Sequence, residues 1–130
     1  MGKLIIIEGT DGSGKQTQAE LLYKKLCELK GKEKIKKISF PNYGSKASEP
    51  VKMYLSGEFG KKAQSVNAYA ASVLYSVDRF ASYKMEWENF YNSGGIVVSD
   101  RYTISNMIHQ VPKIQDKAER EKYLDWLIDL

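Results

Sequence analysis

The sequence predicts an α/β fold with three layers, in which helices cover both faces of a parallel sheet. Short apolar, β-branched runs alternate with longer stretches of helical periodicity. A glycine-rich loop lies between the first apolar run and the first helix, and a second run follows, as in a βαβ unit. With 130 residues the chain suits one domain, which we assign to residues 1–130.

The first half of the chain supplies this βαβ unit. Lys3–Glu8 is a continuous apolar run, typical of a strand buried on both faces of a parallel sheet. A second strand is expected at Ile35–Phe40, where Pro41 stops it. The helix between the two strands ends near Gly31 and carries apolar residues at helical spacing: Ala19, Leu22, Leu26 and Leu29.

The second half predicts mainly helices. We expect a short helix at Val51–Ser56, a long helix at Ser65–Asn92 and a third strand at Ile96–Val98. Two further helices begin near Ile104 and Gln115. The long helix has an apolar stripe that we expect to face the core: Val66, Tyr69, Ala70, Val73, Val77, Phe80, Trp87 and Tyr91.

Composition and charge favour a cytoplasmic protein without a nucleic-acid or membrane partner. The net charge of +4 arises in Lys30–Lys37, whose five lysines and one glutamate give 5 − 1 = +4. We interpret this stretch as a solvated turn, with nucleic-acid binding as an alternative. No apolar run approaches the ~20 residues of a membrane span. The single cysteine, Cys27, suits a reducing compartment.

The stretch EGTDGSGKQTQ, residues 8–18, resembles the phosphate-binding loop pattern G-x-x-x-x-G-K-S/T of nucleotide enzymes. Its glycines allow backbone N–H groups to turn toward an anion, and the helix N-terminus adds partial positive charge. Lys15 can then reach the β- and γ-phosphates. The residues expected to bind the nucleotide are Gly9, Thr10, Asp11, Gly12, Ser13, Gly14, Lys15, Gln16 and Thr17.

The metal site is expected to depart from this pattern. Gln16 stands where the pattern has a hydroxyl that binds Mg²⁺. A glutamine can coordinate through its carbonyl oxygen or hold a metal-bound water. We therefore expect ATP oxygens to hold most of the Mg²⁺ shell, with Gln16 and the carboxylate of Asp100 assisting.

Tyr75 and Arg79 lie four residues apart on the long helix and share a face roughly opposite the apolar stripe. A ring and a guanidinium group placed together suit a flat base, which the tyrosine stacks on and the arginine hydrogen-bonds. Packing of Tyr75 on a neighbouring helix and pairing of Arg79 with a carboxylate explain the two residues equally well. The residues alone leave both interpretations open.

Four motifs together resemble the thymidylate kinase family. They are EGTDGSGKQTQ, FPNY at Phe40–Tyr43, LYSVDR at Leu74–Arg79 and SDRYTISN at Ser99–Asn106, and they occur in the family's order. The resemblance implies a P-loop fold like that of nucleoside monophosphate kinases. It also implies transfer of the ATP γ-phosphoryl group to dTMP, giving ADP and dTDP in dTTP synthesis, by a homodimer.

The resemblance also implies roles for individual residues. Lys15, Asp100 and Arg101 would be catalytic, with Asp100 at the metal and the phosphates. Tyr75 would stack on thymine and Arg79 would hydrogen-bond it. The full set implied to bind dTMP is Asp11, Phe40, Tyr43, Tyr75, Arg79, Arg101, Ser105, Asn106 and His109.

Two features lead us to expect an incomplete enzyme. Gly12 stands where some family members carry a catalytic arginine, and other members supply arginines from a lid later in the chain than Leu130. We expect the domain to be incomplete at its C-terminus, and the 130-residue chain to bind dTMP but to turn over very poorly. The alternatives are another P-loop nucleoside or nucleotide kinase, or a non-catalytic nucleotide-binding fragment.

Overall fold

A computed structural model describes residues 1–10 and 12–130 and confirms an α/β fold built on a parallel sheet. The strands are β1 (Lys3–Ile7), β2 (Ile35–Ser39) and β3 (Ile96–Asp100). Within the described residues they pair in the order β1-β3-β2, and both pairs are parallel. All three strands lie where the sequence predicts them, within two residues at their ends.

The register brings the carboxyl ends of the strands together. Asp100, the last residue of β3, is paired with Ile7 on one side and Ser39 on the other. β3 is central and buried, but β1 forms an edge of this sheet and exposes Lys3 and Ile6. The expectation that β1 is buried on both faces is therefore wrong, because Lys3 and Ile6, which lie on opposite faces of the strand, are both exposed.

The helices follow the predicted order. They are α1 (Lys15–Lys30), α2 (Glu49–Leu55), α3 (Ala68–Ser82), α4 (Glu88–Asn92), α5 (Thr103–Gln110) and α6 (Lys117–Asp129). The long helix predicted at Ser65–Asn92 is present as one helical run from Ala68 to Asn92, in which a π-helical turn at Tyr83–Trp87 joins α3 to α4. None of the helices in the described part of the chain combines the length and apolar character that a membrane span requires.

The chain divides into two compact units. The first comprises residues 1–40 and 81–102 and contains the sheet, whose core is formed by Ile38, Phe40, Trp87 and Val97. The second comprises residues 41–80 and 103–130 and is helical, with a core of Ala68, Tyr123 and Leu127. The assignment of residues 1–130 to one P-loop kinase domain stays a prediction.

The expectation that the apolar stripe of the long helix faces the core is wrong for its α3 members, whereas Trp87 is buried in the core of the first unit and Tyr91 packs against that core. Tyr69, Val73, Val77 and Phe80 are 37–67% exposed. The buried face of the helix instead carries Ala68, Ala71, Ser72 and Asp78. The polar members of that face are stabilised by hydrogen bonds inside the second unit, such as the one that Asp78 Oδ2 accepts from the Asn42 N–H at 3.0 Å.

Candidate functional site

The glycine-rich loop between β1 and α1 has the backbone that an anion-binding loop requires. Gly12 and Gly14 have φ angles of 80° and 88°, a left-handed conformation that residues with a Cβ rarely adopt. The first turn of α1 holds no acidic residue, so the partial positive charge of this helix end is not offset there. A cleft of about 340 Å³ lies at this end, lined by Thr10, Gly12, Gly14, Lys15, Gln16 and Thr17.

Asp11, predicted to contact both nucleotides, lies outside the described residues. Gly9 and Ser13 lie in the loop between β1 and α1, beside the lining residues of the cleft, and the nucleotide binding expected of all these residues stays a prediction. The Ser13 N–H donates to the Thr10 carbonyl oxygen at 3.2 Å, which closes a turn within the loop. The loop therefore presents glycines, a helix end and a lysine on one cleft.

Lys15 and Asp100 form an ion pair beside this cleft. Lys15 Nζ lies 2.6 Å from Asp100 Oδ1, and the two side chains are only 10% and 12% exposed. The first residue of α1 and the last residue of β3 are thus joined at the carboxyl end of the sheet. A polyphosphate in the cleft can compete with Asp100 for the ammonium group, which leaves the carboxylate available to a metal-bound water.

The donor set fits a metal ion that arrives with a nucleotide rather than one held by protein alone. No group of three or more histidine, cysteine, aspartate or glutamate side chains occurs among residues 1–10 and 12–130. Asp100 and the exposed Gln16 offer oxygen ligands. Mg²⁺ commonly takes one or two protein ligands and completes its shell with phosphate oxygens and water.

The backbone of Arg101 is held in a left-handed conformation by three hydrogen bonds. Its φ is 70°, which costs a non-glycine residue about 1–2 kcal/mol. Its N–H donates to the Ile7 carbonyl oxygen at 3.0 Å, and its carbonyl oxygen accepts from Ser99 Oγ at 2.5 Å. The N–H of Tyr102 donates to Glu8 Oε1 at 2.8 Å. Strain held in this way commonly marks a functional position.

Sequence reasoning did not identify Glu8 and Ser99 as part of this site. Each is a polar residue at or near the end of an otherwise apolar strand run, and that position is the signal that points to them.

Phe40 is in contact with Tyr102, and the centroids of the two rings are 5.6 Å apart. Phe40 is buried in the core of the first unit, and its predicted role in lining a dTMP site stays a prediction.

Within the second unit, Tyr75 and Arg79 lie half-buried on the face of α3 opposite the exposed stripe. The Tyr75 ring stands perpendicular to the Tyr54 ring, with centroids 6.2 Å apart. Arg79 donates to Ser76 Oγ at 2.9 Å, which holds its guanidinium group along the helix. Among the other predicted contacts, Ser105 is half-buried, whereas Tyr43 and His109 are exposed.

The hydroxyl of Tyr54 is held by Lys113, whose Nζ lies 2.8 Å away. Burial alone would raise the pKa of this phenol. Hydrogen bonds from Lys113 and Gln110, together with the positive charge of Lys113, outweigh burial and lower the pKa of Tyr54 below its ordinary value. Tyr54 in turn supports the ring of Tyr75.

Asn106 presents a buried acceptor. Its Nδ2 donates to Ser72 Oγ at 2.9 Å, and the same oxygen lies 2.6 Å from the Tyr123 hydroxyl. Its Oδ1 is buried and accepts no hydrogen bond from any residue that the structure describes. The same holds for Oε1 of Gln110, one turn further along α5. Buried oxygens of this kind call for a donor, and a ligand is one source.

Comparisons with known proteins agree on one family. A family model described as thymidylate kinase matches residues 7–121. The thymidylate kinase of Schizosaccharomyces pombe is 31% identical over 86% of this chain and 50% of its own length. That of Mycobacterium tuberculosis is 34% identical over 88% and 52%. The structure of the thymidylate kinase from Candida albicans superimposes with a TM-score of 0.75 at 27% identity, over 98% of this chain and 56% of that one. The chain thus spans about half the length of the curated relatives it matches.

Proposed function

Because the chain belongs to the thymidylate kinase family, we propose that it takes part in the transfer of the γ-phosphoryl group of ATP to dTMP. The products are ADP and dTDP, a step in dTTP synthesis. The observation that carries the proposal is the buried Lys15–Asp100 pair beside a glycine loop at a helix N-terminus.

The donor side of the reaction requires the loop and Lys15. Backbone N–H groups of the loop bind the ATP phosphates, and Lys15 exchanges Asp100 for the β- and γ-phosphate oxygens. Mg²⁺, when bound with ATP, would neutralise phosphate charge, and Asp100 and Gln16 are the residues that would hold it. Catalysis comes from holding these positively charged groups around the ATP phosphates before the reaction begins.

The acceptor side needs no general base. A phosphate monoester has its second pKa near 6, so the attacking oxygen of dTMP is already ionised at neutral pH. Arg101, on its constrained backbone, is proposed to neutralise the acceptor phosphate. Arg101 and Lys15 then lower the repulsion between the two anions that must approach each other.

Recognition of thymine is proposed to use the polar face of α3 and the first turns of α5. Thymine offers two carbonyl acceptors and one N–H donor at ring position 3. The guanidinium group of Arg79 matches the carbonyls, and the buried Oδ1 of Asn106 matches the N–H. Tyr75 supplies the stacking ring, held by Tyr54. The remaining proposed contacts to dTMP are Asp11 on the sugar 3′-hydroxyl, Tyr43 near the phosphate, and Phe40, Ser105 and His109 around the base and sugar.

We also propose a homodimer. The exposed apolar residues of α3, at positions 69, 73, 77 and 80, follow the three- and four-residue spacing of a helix–helix seam. A second copy can present the same stripe, as in a two-fold symmetric dimer. The single cysteine, Cys27, is consistent with a reducing cytoplasm, where we place the reaction.

Calorimetric titration of the chain with dTMP, dCMP and AMP, with and without an ATP analogue and Mg²⁺, tests the function. We expect dTMP to bind at least about tenfold more tightly than the other two. Lys15→Met should abolish binding of the ATP analogue and leave dTMP binding intact. Lys24→Met, on the same helix but away from the loop, is the matched control. Equal affinities for the three monophosphates would favour a different nucleotide kinase, and binding of the ATP analogue without binding of any of the three monophosphates would favour a non-catalytic nucleotide-binding fragment.

A further inference from the structure

We propose that Ser72 and Tyr123 are positioning residues that hold the side-chain amide of Asn106 in one orientation, and that this orientation selects a base with an N–H donor at ring position 3. The inference rests on the proposed function, since the base in question is the thymine of dTMP. Neither residue belongs to the motifs that indicate nucleotide binding. Ser72, Asn106 and Tyr123 all belong to the second unit.

The hydrogen bonds of Ser72 fix the direction of the network. Its Oγ lies 2.7 Å from the carbonyl oxygen of Ala68, which can only accept. The single hydroxyl proton of Ser72 is therefore used on Ala68. The two other neighbours of Oγ, the Tyr123 hydroxyl at 2.6 Å and Asn106 Nδ2 at 2.9 Å, must both donate. They fill the two lone pairs of the serine oxygen.

This count leaves Asn106 one stable orientation. If its amide turned by 180°, Oδ1 would replace Nδ2 against Ser72 Oγ, and two acceptors without a shared proton would face each other in a buried place. Asn106 is only 4% exposed, and Ser72 and Tyr123 are fully buried, so water does not relieve that repulsion readily. Tyr123 can keep its role as donor because burial raises the pKa of its hydroxyl, although the bonds to Ser72 and Asn106 act against this.

The fixed amide orientation leaves Oδ1 of Asn106 available to accept a hydrogen bond from a ligand. Oδ1 of Asn106 is directed away from Ser72 and has no partner among the described residues. The N3–H of thymine can donate to it. In cytosine, N3 is an acceptor. Bound dCMP would therefore place the lone pair of N3 against the lone pair of Asn106 Oδ1, with no proton between them, and would bind more weakly. Release of the amide would let Asn106 turn Nδ2 toward cytosine and would weaken this discrimination.

The test is the ratio of dissociation constants for dTMP and dCMP, measured by calorimetry on the 130-residue chain. Ser72→Ala should reduce the preference for dTMP by about tenfold, with gain of dCMP binding as well as loss of dTMP binding. Ser72→Thr keeps the hydroxyl and should retain most of the preference. Tyr123→Phe should give a smaller reduction, because the bond from Ser72 to Ala68 still directs the serine proton. Ser93→Ala is the matched control, since Ser93 also bonds the carbonyl oxygen four residues before it, at 2.8 Å, but lies on an exposed surface.

A second measurement decides the orientation without any nucleotide. The side-chain NH₂ protons of Asn106, followed by NMR, should exchange slowly with solvent in the native chain and in Ser93→Ala. They should exchange faster in Ser72→Ala and Tyr123→Phe. If the native chain binds neither nucleotide, the proposed function fails while this exchange still reports on the network. An unchanged dTMP preference in folded Ser72→Ala, or fast exchange in the native chain, would overturn the inference.

Discussion

Replacement of Glu8 by alanine is expected to loosen the backbone around Arg101. The carboxylate accepts from the Tyr102 N–H at 2.8 Å, immediately after the residue with φ 70°. A hydrogen bond to a charged group contributes about 1.5–3 kcal/mol. Relief of the left-handed strain returns about 1–2 kcal/mol, of which only part is recovered if the other two hydrogen bonds persist. The net expectation is a loss of roughly 1.5 kcal/mol in the free energy of unfolding.

Urea denaturation followed by circular dichroism measures this loss. With a slope of about 2 kcal/mol per molar urea, a loss of ~1.5 kcal/mol lowers the midpoint by about 0.7 M. Glu8→Gln keeps an oxygen acceptor and should lose less than half as much. Glu28→Ala removes a carboxylate from the exposed end of α1 and should stay within about 0.5 kcal/mol of the native chain.

Measurement of dTMP binding distinguishes a positioning role of Glu8 from a purely stabilising one. At urea concentrations too low to unfold the protein, Glu8→Ala should weaken dTMP binding, because the backbone of Arg101 is no longer held in place. Glu8→Gln should bind dTMP nearly as tightly as the native chain does. If Glu8→Ala and Glu28→Ala shared one midpoint, or if Glu8→Gln were as damaging as Glu8→Ala, the carboxylate would not hold this turn.

Three further outcomes follow from the second unit. Arg79→Ala should weaken dTMP binding about tenfold or more in calorimetry and leave ATP affinity nearly unchanged; an equal loss for both nucleotides would remove Arg79 from base recognition. Lys113→Met should raise the pKa of Tyr54, because the cation and hydrogen bond that favour the phenolate are lost. The spectrophotometric tyrosine titration would then move to higher pH, and an unchanged curve would contradict the assigned cause. Val77→Asp should convert a dimer to a monomer in light scattering, whereas Leu29→Asp, at an exposed leucine outside the stripe, should not.

The strands and the loop were predictable because their signals are local. Lys3–Ile7 and Ile96–Asp100 are short runs rich in β-branched residues, which are enriched in strands. The left-handed conformations of Gly12 and Gly14 follow from the spacing of glycines in the motif. The fold class and the conformation of the glycine-rich loop needed little more than this.

The support of Arg101 was not predictable, because it depends on register. Glu8 reaches the Tyr102 N–H only because β1 and β3 are parallel and Ile7 is paired with Asp100. A shift of two residues in that pairing would leave both chemical groups in the sequence and remove the bond between them. Local patterns indicate that two strands exist but do not determine which residues face each other across them.

The choice of which face of α3 is buried shows the same limit of local patterns in energetic terms. Periodicity separates the helix into an apolar face and a mixed face, and the hydrophobic effect alone would bury the apolar one. The chain instead buries Ser72 and Asp78, which is tolerable only because specific partners meet them: Ala68, Tyr123 and Asn106 for the serine, and Asn42 for the aspartate. A polar face buried at this cost is better suited to orienting hydrogen-bonding groups toward a ligand than to adding stability. The exposed apolar face is then available for the association of two chains. Burial of the polar face of α3 in place of its apolar face therefore accounts for both the proposed base site and the proposed dimer.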